Sequence, residues 1–344
     1  MKKFGFGVIG VGGIGPFHIK GILDNSDKAK LIAVSDMKEE MAKKIALENN
    51  IDYYTDYKEM LKRSDIDVVC VATPTGTHGT IAIDCANAGK HVLVEKPLDI
   101  TLEKCDAVIA ACRKQKVKLG VIFQSRTYTD SIKIKSELEN GRLGKLIIGD
   151  ICMKWLRTQS YYDSGKWRGT WEMDGGGCLM NQAIHYIDLL QWFMGSVDTV
   201  TAQTATMLRK IEVEDVGMAL IKFKNGAFGI IEASTAVYPG TGNPGRIEIH
   251  GENGTIIYEN GMITHWDIEG EEKKDSKIER KDEGFADPLS IPSQGHKVQI
   301  ADMCDAIENN REPLVTGEEA RKSVEIILAI YKSSKLGMTV KLPL

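Results

Sequence analysis

The strongest constraint on this chain lies in its first fifteen residues. A short apolar run, residues 4–9, leads into "GVGGIG", and an apolar helical pattern comes next. Gly10, Gly12 and Gly15 therefore fit GxGxxG at a strand-to-helix junction. In such a turn the first glycine permits a tight bend. The second lets the backbone approach a pyrophosphate, and the third lets the helix pack close to the strand. Gly13 and Ile14 complete the turn, and Pro16 falls early in the helix, where it has no amide hydrogen bond to lose. The helix N-terminus then faces the phosphates of a dinucleotide.

The residues downstream agree with that opening. Runs rich in Val and Ile recur at residues 31–35, 67–72, 91–94 and 119–123, with a weaker one at 51–54. Segments between them, such as "MKEEMAKKIALENN" and "TLEKCDAVIAACRKQ", carry apolar residues at spacings of three and four. Strand and helix in alternation predict a doubly wound parallel sheet with helices on both faces, hence an α/β class. The 344 residues exceed the usual size of one domain, so we expect a dinucleotide-binding domain over 1–124 and a second over 125–344.

In the second domain a helical segment near 130–140 precedes the strand-like "KLIIGDICMKW", an aromatic loop and a helix beginning after Gly177. Residues 197–266 hold β-type runs separated by "KNGA", "PGTGNPG", "GENG" and "ENGM", which predict an antiparallel meander. This domain is expected to be α+β, with a large, open, mainly antiparallel sheet. The helix after Gly177 is expected to cover one face, and pairing of two or four copies the other. The mixed-charge run 269–283 reads as a solvated loop, and two helices, near 294–309 and 318–335, close the chain.

Composition excludes more than it identifies. The 44 basic and 48 acidic residues are spread along the chain without a basic stripe, so nucleic acid is not an expected partner. Seven cysteines form no CxxC pair, which fits a reduced, cytoplasmic protein without a cysteine metal site. No metal site is expected. No apolar segment approaches the roughly 20 residues of a membrane span, and glycines interrupt the apolar start too early for a signal peptide.

The second strand ends in Asp36, 21 residues beyond Gly15. A carboxylate at that spacing accepts hydrogen bonds from the adenosine ribose and repels a 2′-phosphate, so NAD is expected. Lys38 nearby leaves NADP open. Two further strands run into "ATPTGTH" and "EKP", at the carboxyl ends where open α/β sheets bind ligands. Thr73, Pro74, Thr75, His78 and Glu95 are thus expected to border the cofactor, with Lys96 near its reactive end. Oxidising a carbinol requires hydride departure and removal of the hydroxyl proton. Lys96 can donate a hydrogen bond to that oxygen, stabilise an alkoxide or relay its proton.

"GVGGIG", "ATPTGTH", "VLVEKP", "GGGCLMNQAIHYID" and "GHKVQIADMCDAI" together resemble the glucose-fructose oxidoreductase, inositol dehydrogenase and MocA family over nearly the whole chain. The resemblance implies a Rossmann domain for NAD(P), a second domain with an open sheet, a catalytic or orienting Lys96, and a proton-handling His185. In many relatives an aspartate precedes this histidine by four residues, whereas here Asn181 does, and an amide cannot act as a base. Asn181, His185 and Asp188 would share one face of the helix, a substrate face, with Asp188 either holding the His185 imidazole or satisfying a buried neighbour. The glycines before it are expected to let the chain pass close to nicotinamide and sugar.

Upstream, "YYDSGKWRGTWEMD" offers flat rings for sugar faces and, in Arg168 beside Trp167, a fork for carboxylate or phosphate. Arg126 is a second candidate anion contact. This loop with "NQAIH" resembles the subgroup of UDP-N-acetylglucosamine-uronate 3-dehydrogenases. The implied activity is hydride transfer between nicotinamide and a secondary hydroxyl of a sugar, sugar acid, nucleotide sugar or cyclitol. Two rivals remain open: an NAD-dependent glycoside hydrolase using transient oxidation at C3, and a silent nucleotide-binding sensor.

Overall fold

The computed structural model describes residues 3–238, 245–275 and 294–344. The chain forms two compact units, one of Met1–Gln124 with Ile291–Arg321 and one of Ser125–Ser290 with Lys322–Leu344.

The first unit is built on six parallel strands: β1 (Phe4–Ile9), β2 (Ala29–Ser35), β3 (Asp52–Tyr54), β4 (Val68–Val71), β5 (His91–Val94) and β6 (Leu119–Val121). Between them run α1 (Gly15–Leu23), α2 (Glu39–Asn49), α3 (Tyr57–Leu61), α4 (His78–Asn87) and α5 (Leu102–Gln115). The spatial order β3-β2-β1-β4-β5-β6 reverses direction between β1 and β4, the switch point of a doubly wound sheet. All residues of β1 and β4 are buried, as their continuous apolar runs require of strands covered on both faces.

The second unit carries a nine-stranded sheet. Its strands are β7 (Leu146–Lys154), β8 (Val197–Ala205), β9 (Val216–Phe223), β10 (Phe228–Ser234), β11 (Arg246–Gly251), β12 (Gly254–Glu259), β13 (Met262–Ile268), β14 (Lys274–Asp275) and, near the C-terminus, β15 (Val340–Lys341). Helices α6 (Thr129–Glu139), α7 (Gln159–Asp163) and α8 (Ile184–Met194) belong to this unit. Near the C-terminus lie α9 (Gln294–Glu308) and α10 (Gly317–Leu336).

Hairpins form at "KNGA", "GENG" and "ENGM", with Gly226 and Gly261 at positive φ; most of "PGTGNPG" lies outside the described residues. The meander, however, is not continuous. In the order β14-β13-β12-β11-β7-β10-β9-β8-β15, the earlier strand β7 sits between β11 and β10 and pairs with β10 in parallel. Strand patterning reports which face is buried and carries no record of the neighbour, so this insertion was illegible. Part of the expected charged loop is the two-residue β14; residues 276–283 lie outside the described set.

α8 covers one face of this sheet as expected. A side chain at Gly149 of β7 would stand 2.7 Å from Met194 of α8, so the two elements touch without a Cβ between them. On the opposite face Ile148 lies across from Phe228, and Leu220 across from Ile230, all four exposed.

The helix α9 departs from the expected boundary at 124. Its Ile300, Met303 and Cys304 join Phe6, Val8 and Ile22 in one core cluster, and Gly21 of α1 lies so close that a Cβ there would meet Ile300 at 2.6 Å. The first unit is therefore completed by residues well beyond 124. None of the seven cysteines is in a disulfide, and among the described residues no helix is long and apolar enough to cross a membrane.

Candidate functional site

In the first unit the glycine turn divides by what each glycine faces. Gly10 has φ +88°, and a Cβ there would stand 2.5 Å from the Ala72 carbonyl oxygen. Gly15 would place one 2.3 Å from the Gly10 carbonyl oxygen. These two glycines are demanded by the protein itself. Gly12 and Gly13 are not, since a Cβ at either meets nothing within 4 Å. Their bareness makes sense against something outside the chain that approaches the backbone. Ile14, at the N-cap of α1, supplies no side-chain cap, and no acidic residue occupies the first turn. The amide end of α1 thus suits an anion.

Asp36 stands at the end of β2. Its Oδ2 accepts from the Val11 amide at 3.0 Å and its Oδ1 from the Lys38 amide at 2.9 Å, which fixes the carboxylate beside the glycine turn. Across the switch point, Thr73 and Pro74 come after β4, and Thr75 opens a 3-10 turn, Thr75–Thr77. The His78 ring bridges two carbonyl oxygens, Thr73 O and Pro97 O, each at 2.8 Å. It thereby links the loop after β4 to the loop after β5. The residues expected to border a cofactor are therefore gathered at the carboxyl ends of β1, β2, β4 and β5, where such sheets bind ligands.

Lys96, half-buried, lies two residues beyond the end of β5. Glu95 beside it is buried. Its Oε1 accepts from Nε2 of His18 and of His296, each at 3.0 Å, and its Oε2 accepts from the Lys96 amide at 3.2 Å. Burial alone would push the Glu95 carboxyl up, yet the two imidazoles hold it well below the usual range. Burial pushes His18 down, against the hydrogen bond it makes to Glu95. Neither His18 nor His296 figured in the sequence-based site, although a histidine at the third position after Gly15 and one in "GHKVQ" were the available signals.

In the second unit the glycines before α8 face protein, which corrects the expectation that they clear room for cofactor and sugar. Gly175 has φ +74°. A Cβ at Gly176 would fall 2.0 Å from the Tyr331 hydroxyl, and at Gly177 1.8 Å from the Glu214 carbonyl oxygen. The Glu214 carboxyl accepts from the Gly177 and Leu179 amides, each at 2.9 Å, and from the Tyr331 hydroxyl at 2.9 Å. Burial pushes it up to about 7 in spite of these bonds.

The helix then begins with a π-helical turn, Cys178–Ala183, before α8. A π turn carries an extra residue, so positions 181, 185 and 188 do not share a simple α-helical face. Asn181 and His185 are half-buried; Asp188 is fully buried. Asn181 Nδ2 donates to Asp174 Oδ1 at 2.5 Å, and Gln182 Nε2 donates to Asn181 Oδ1 at 3.1 Å. Gln182 in turn donates to the Tyr161 hydroxyl at 3.1 Å and accepts from Arg157 at 3.0 Å. Arg168 donates to the same hydroxyl at 2.6 Å, its guanidinium 4.4 Å from the Tyr161 ring centre and 4.5 Å from that of Trp167. Asn181, Gln182, Tyr161 and Arg168 thus form one network. Asp174, Gln182 and Arg157 were missed because polar residues in a loop or on a helix give no signal of convergence.

Arg126 does not present itself to a ligand as expected, and Asp188 satisfies a buried neighbour, one of the roles open to it. They form a two-pronged ion pair, Nε to Oδ2 at 2.7 Å and NH2 to Oδ1 at 2.8 Å, and Ser323 donates to Oδ1 at 3.0 Å. Both are buried, and their charges are met by each other.

Comparison with known proteins agrees with this geometry. Residues 4–123 match the family model described as the oxidoreductase family, NAD-binding Rossmann fold, and 132–257 match the GFO/IDH/MocA C-terminal domain. The chain is 30% identical to myo-inositol 2-dehydrogenase of Thermotoga maritima over 98% of each chain. It is 28% identical to scyllo-inositol 2-dehydrogenase (NAD(+)) of Bacillus subtilis, covering 97% of this chain and 95% of that one. Among solved structures, the WlbA dehydrogenase from Bordetella pertussis, in complex with NADH and UDP-GlcNAcA, matches with a TM-score of 0.89. It is 33% identical, over 100% of this chain and 99% of that one.

Proposed function

The chain belongs to the GFO/IDH/MocA family of NAD-binding oxidoreductases, and we propose that within it the protein oxidises a secondary hydroxyl of a nucleotide-linked sugar acid, with Lys96 and His185 handling the proton. The observation that carries the dehydrogenase reading is the open backbone at Gly12 and Gly13 beside an uncapped helix end, with Lys96 one loop away in the same unit. NAD fits these residues: Gly12, Gly13 and the amide end of α1 would hold its pyrophosphate, and Asp36 its ribose. When bound, NAD supplies the hydride acceptor.

Lys96 then donates a hydrogen bond to the reacting hydroxyl and stabilises the charge that develops on its oxygen. His185 relays the proton, as an imidazole can near neutral pH. Asn181, its amide set by Asp174 and Gln182, orients the sugar. Arg168 and Trp167 supply a fork and a ring for an acidic or phosphorylated ligand. Arg126 and Asp188 are left out of this set, because their charges are already matched.

The choice of a nucleotide sugar acid is supported by the whole-chain similarity to WlbA bound to UDP-GlcNAcA, and by the Arg168 and Tyr161 cluster. With NAD present, UDP-GlcNAcA is expected to yield NADH faster than myo-inositol. Lys96→Ala and His185→Ala are each expected to lower kcat by about 10²- to 10⁴-fold while remaining folded. Wild-type turnover in both variants overturns the proton assignment. Faster turnover of myo-inositol overturns the substrate assignment.

The exposed face of the second sheet supports assembly of two or four copies through Ile148, Leu220, Phe228 and Ile230. Ile230→Lys is expected to lower the mass measured by light scattering toward that of one chain. An unchanged mass overturns this interface.

A further inference from the structure

Three residues far apart in the chain, His18 on α1, Glu95 after β5 and His296 on α9, meet in the first unit with their side chains almost wholly out of solvent. The two imidazole Nε2 atoms share one carboxylate oxygen, Glu95 Oε1, at 3.0 Å each. An oxygen has two lone pairs, so it accepts both N–H groups at once. Its partner Oε2 takes the backbone amide of Lys96.

A two-histidine, one-carboxylate set also invites a reading as metal ligands. The second ring nitrogens argue otherwise. A metal-bound imidazole normally donates its other N–H to an acceptor, and here neither His18 Nδ1 nor His296 Nδ1 has a partner among the described residues. Each Nε2 faces a carboxylate oxygen, so it carries a hydrogen and donates it to Glu95. The trio is a hydrogen-bonded clamp.

We propose that Glu95, gripped by His18 and His296, is a positioning residue for Lys96: it fixes the backbone from which Lys96 projects and supplies a buried negative charge beside it. The proposal rests on the reading of Lys96 as the proton-handling lysine. Three elements converge on this carboxylate, namely the helix of the glycine turn, the end of β5 and a helix contributed from beyond residue 290. Glu95 also extends the sheet ladder through its amide, bonded to Val71 O at 2.9 Å, and Pro97 O is held by His78. Lys96 is thus anchored through the residues on both sides. Among the described residues, Cys70 of β4 and His78 of α4 also act on this trio.

The chemical consequence concerns when Lys96 loses its proton. An anion nearby stabilises an ammonium, so removing the charge lets the lysine lose its proton, and with it its donor role, at lower pH. Glu95→Gln retains shape but not charge, and sets an amide donor against either Lys96 N–H or the imidazoles. In this variant kcat is expected to fall at least about tenfold, with NADH affinity, read by fluorescence, held within about threefold. The alkaline limb of the kcat profile is expected to move down by about half a unit to one unit. A pair at the other end of the clamp repeats the test: His296→Gln keeps an N–H donor and is expected to retain more kcat than His296→Leu.

Lys96→Ala serves as reference. If it loses turnover while Glu95→Gln keeps wild-type kcat and profile, the clamp proposal is wrong and the reading of Lys96 stands. If Lys96→Ala keeps full turnover, the reading beneath the proposal is what failed. Should Glu95→Gln not fold, equal kcat and profiles for His296→Gln and His296→Leu overturn the clamp.

Discussion

Each unit buries a glutamate next to a segment of the proposed site, and the two behave in opposite ways. Glu95 lies beside Lys96, and Glu214 holds the glycine turn ahead of His185. Each carboxyl accepts hydrogen bonds from three groups. Yet Glu95 is held well below the usual carboxylate range, and Glu214 is pushed up to about 7. The number of donors does not decide the outcome. Two of the donors to Glu95 are imidazoles, groups able to carry positive charge, whereas Glu214 meets two peptide amides and a phenol. At Glu214 these neutral donors do not offset the desolvation of a full charge. The first unit holds a carboxylate in its charged form next to the lysine proposed to meet the substrate, and the second raises a carboxyl that closes the glycine turn.

If a cationic partner is what sustains a buried carboxylate, the second unit contains its own control in Asp188. This side chain is fully buried and faces Arg126 through two hydrogen bonds. Arg126→Met leaves Asp188 facing the Ser323 hydroxyl at 3.0 Å without its guanidinium, and is expected to cost about 3–5 kcal/mol. Arg126→Met with Asp188→Leu removes both charges and is expected to recover most of that loss. Urea unfolding of the two variants checks this. A single variant that costs under about 1 kcal/mol breaks the comparison, since a buried carboxylate would then tolerate neutral surroundings.

Legibility in the sequence divides in the same way between local and convergent features. The glycine turn, the alternation that makes the parallel sheet, and the hairpins at "KNGA", "GENG" and "ENGM" depend on residues close in the chain, and the pattern of each was readable. The insertion of β7 beside β10 and the packing of α9 on α1 depend on choices between partners that are equally apolar. The π turn was hidden because Cys178–Ala183 reads as an ordinary apolar helix start. For the same reason the Glu95 clamp escaped notice. His18, Glu95 and His296 are ordinary alone, and only the fold makes them neighbours. Arg126 and Asp188 show the converse, two charges that invite a ligand until the fold pairs them.

Varying pH separates the two glutamates further, because they couple to stability with opposite signs. The Glu214 carboxyl is raised from 4.5 to about 7, so its contribution is fully present below about 4.5 and is lost as pH rises through about 7. That loss amounts to roughly 3 kcal/mol across the window. Glu95 is depressed, so its contribution is present above the ordinary carboxylate range and is lost only as pH falls through its lower folded value. Glu214→Gln cannot titrate and is expected to flatten the decline between about 4.5 and 7, with the acid side unchanged. Glu95→Gln is expected to do the reverse, removing only the loss at low pH. Unfolding midpoints measured across this range separate the two. Hydrogen exchange at the Gly177 and Leu179 amides, which donate to Glu214, locates the effect: in the wild type their protection should weaken as pH rises through about 7. Protection that stays level in that interval means Glu214 is already ionised in the folded protein, and that neutral donors suffice to hold a buried charge after all.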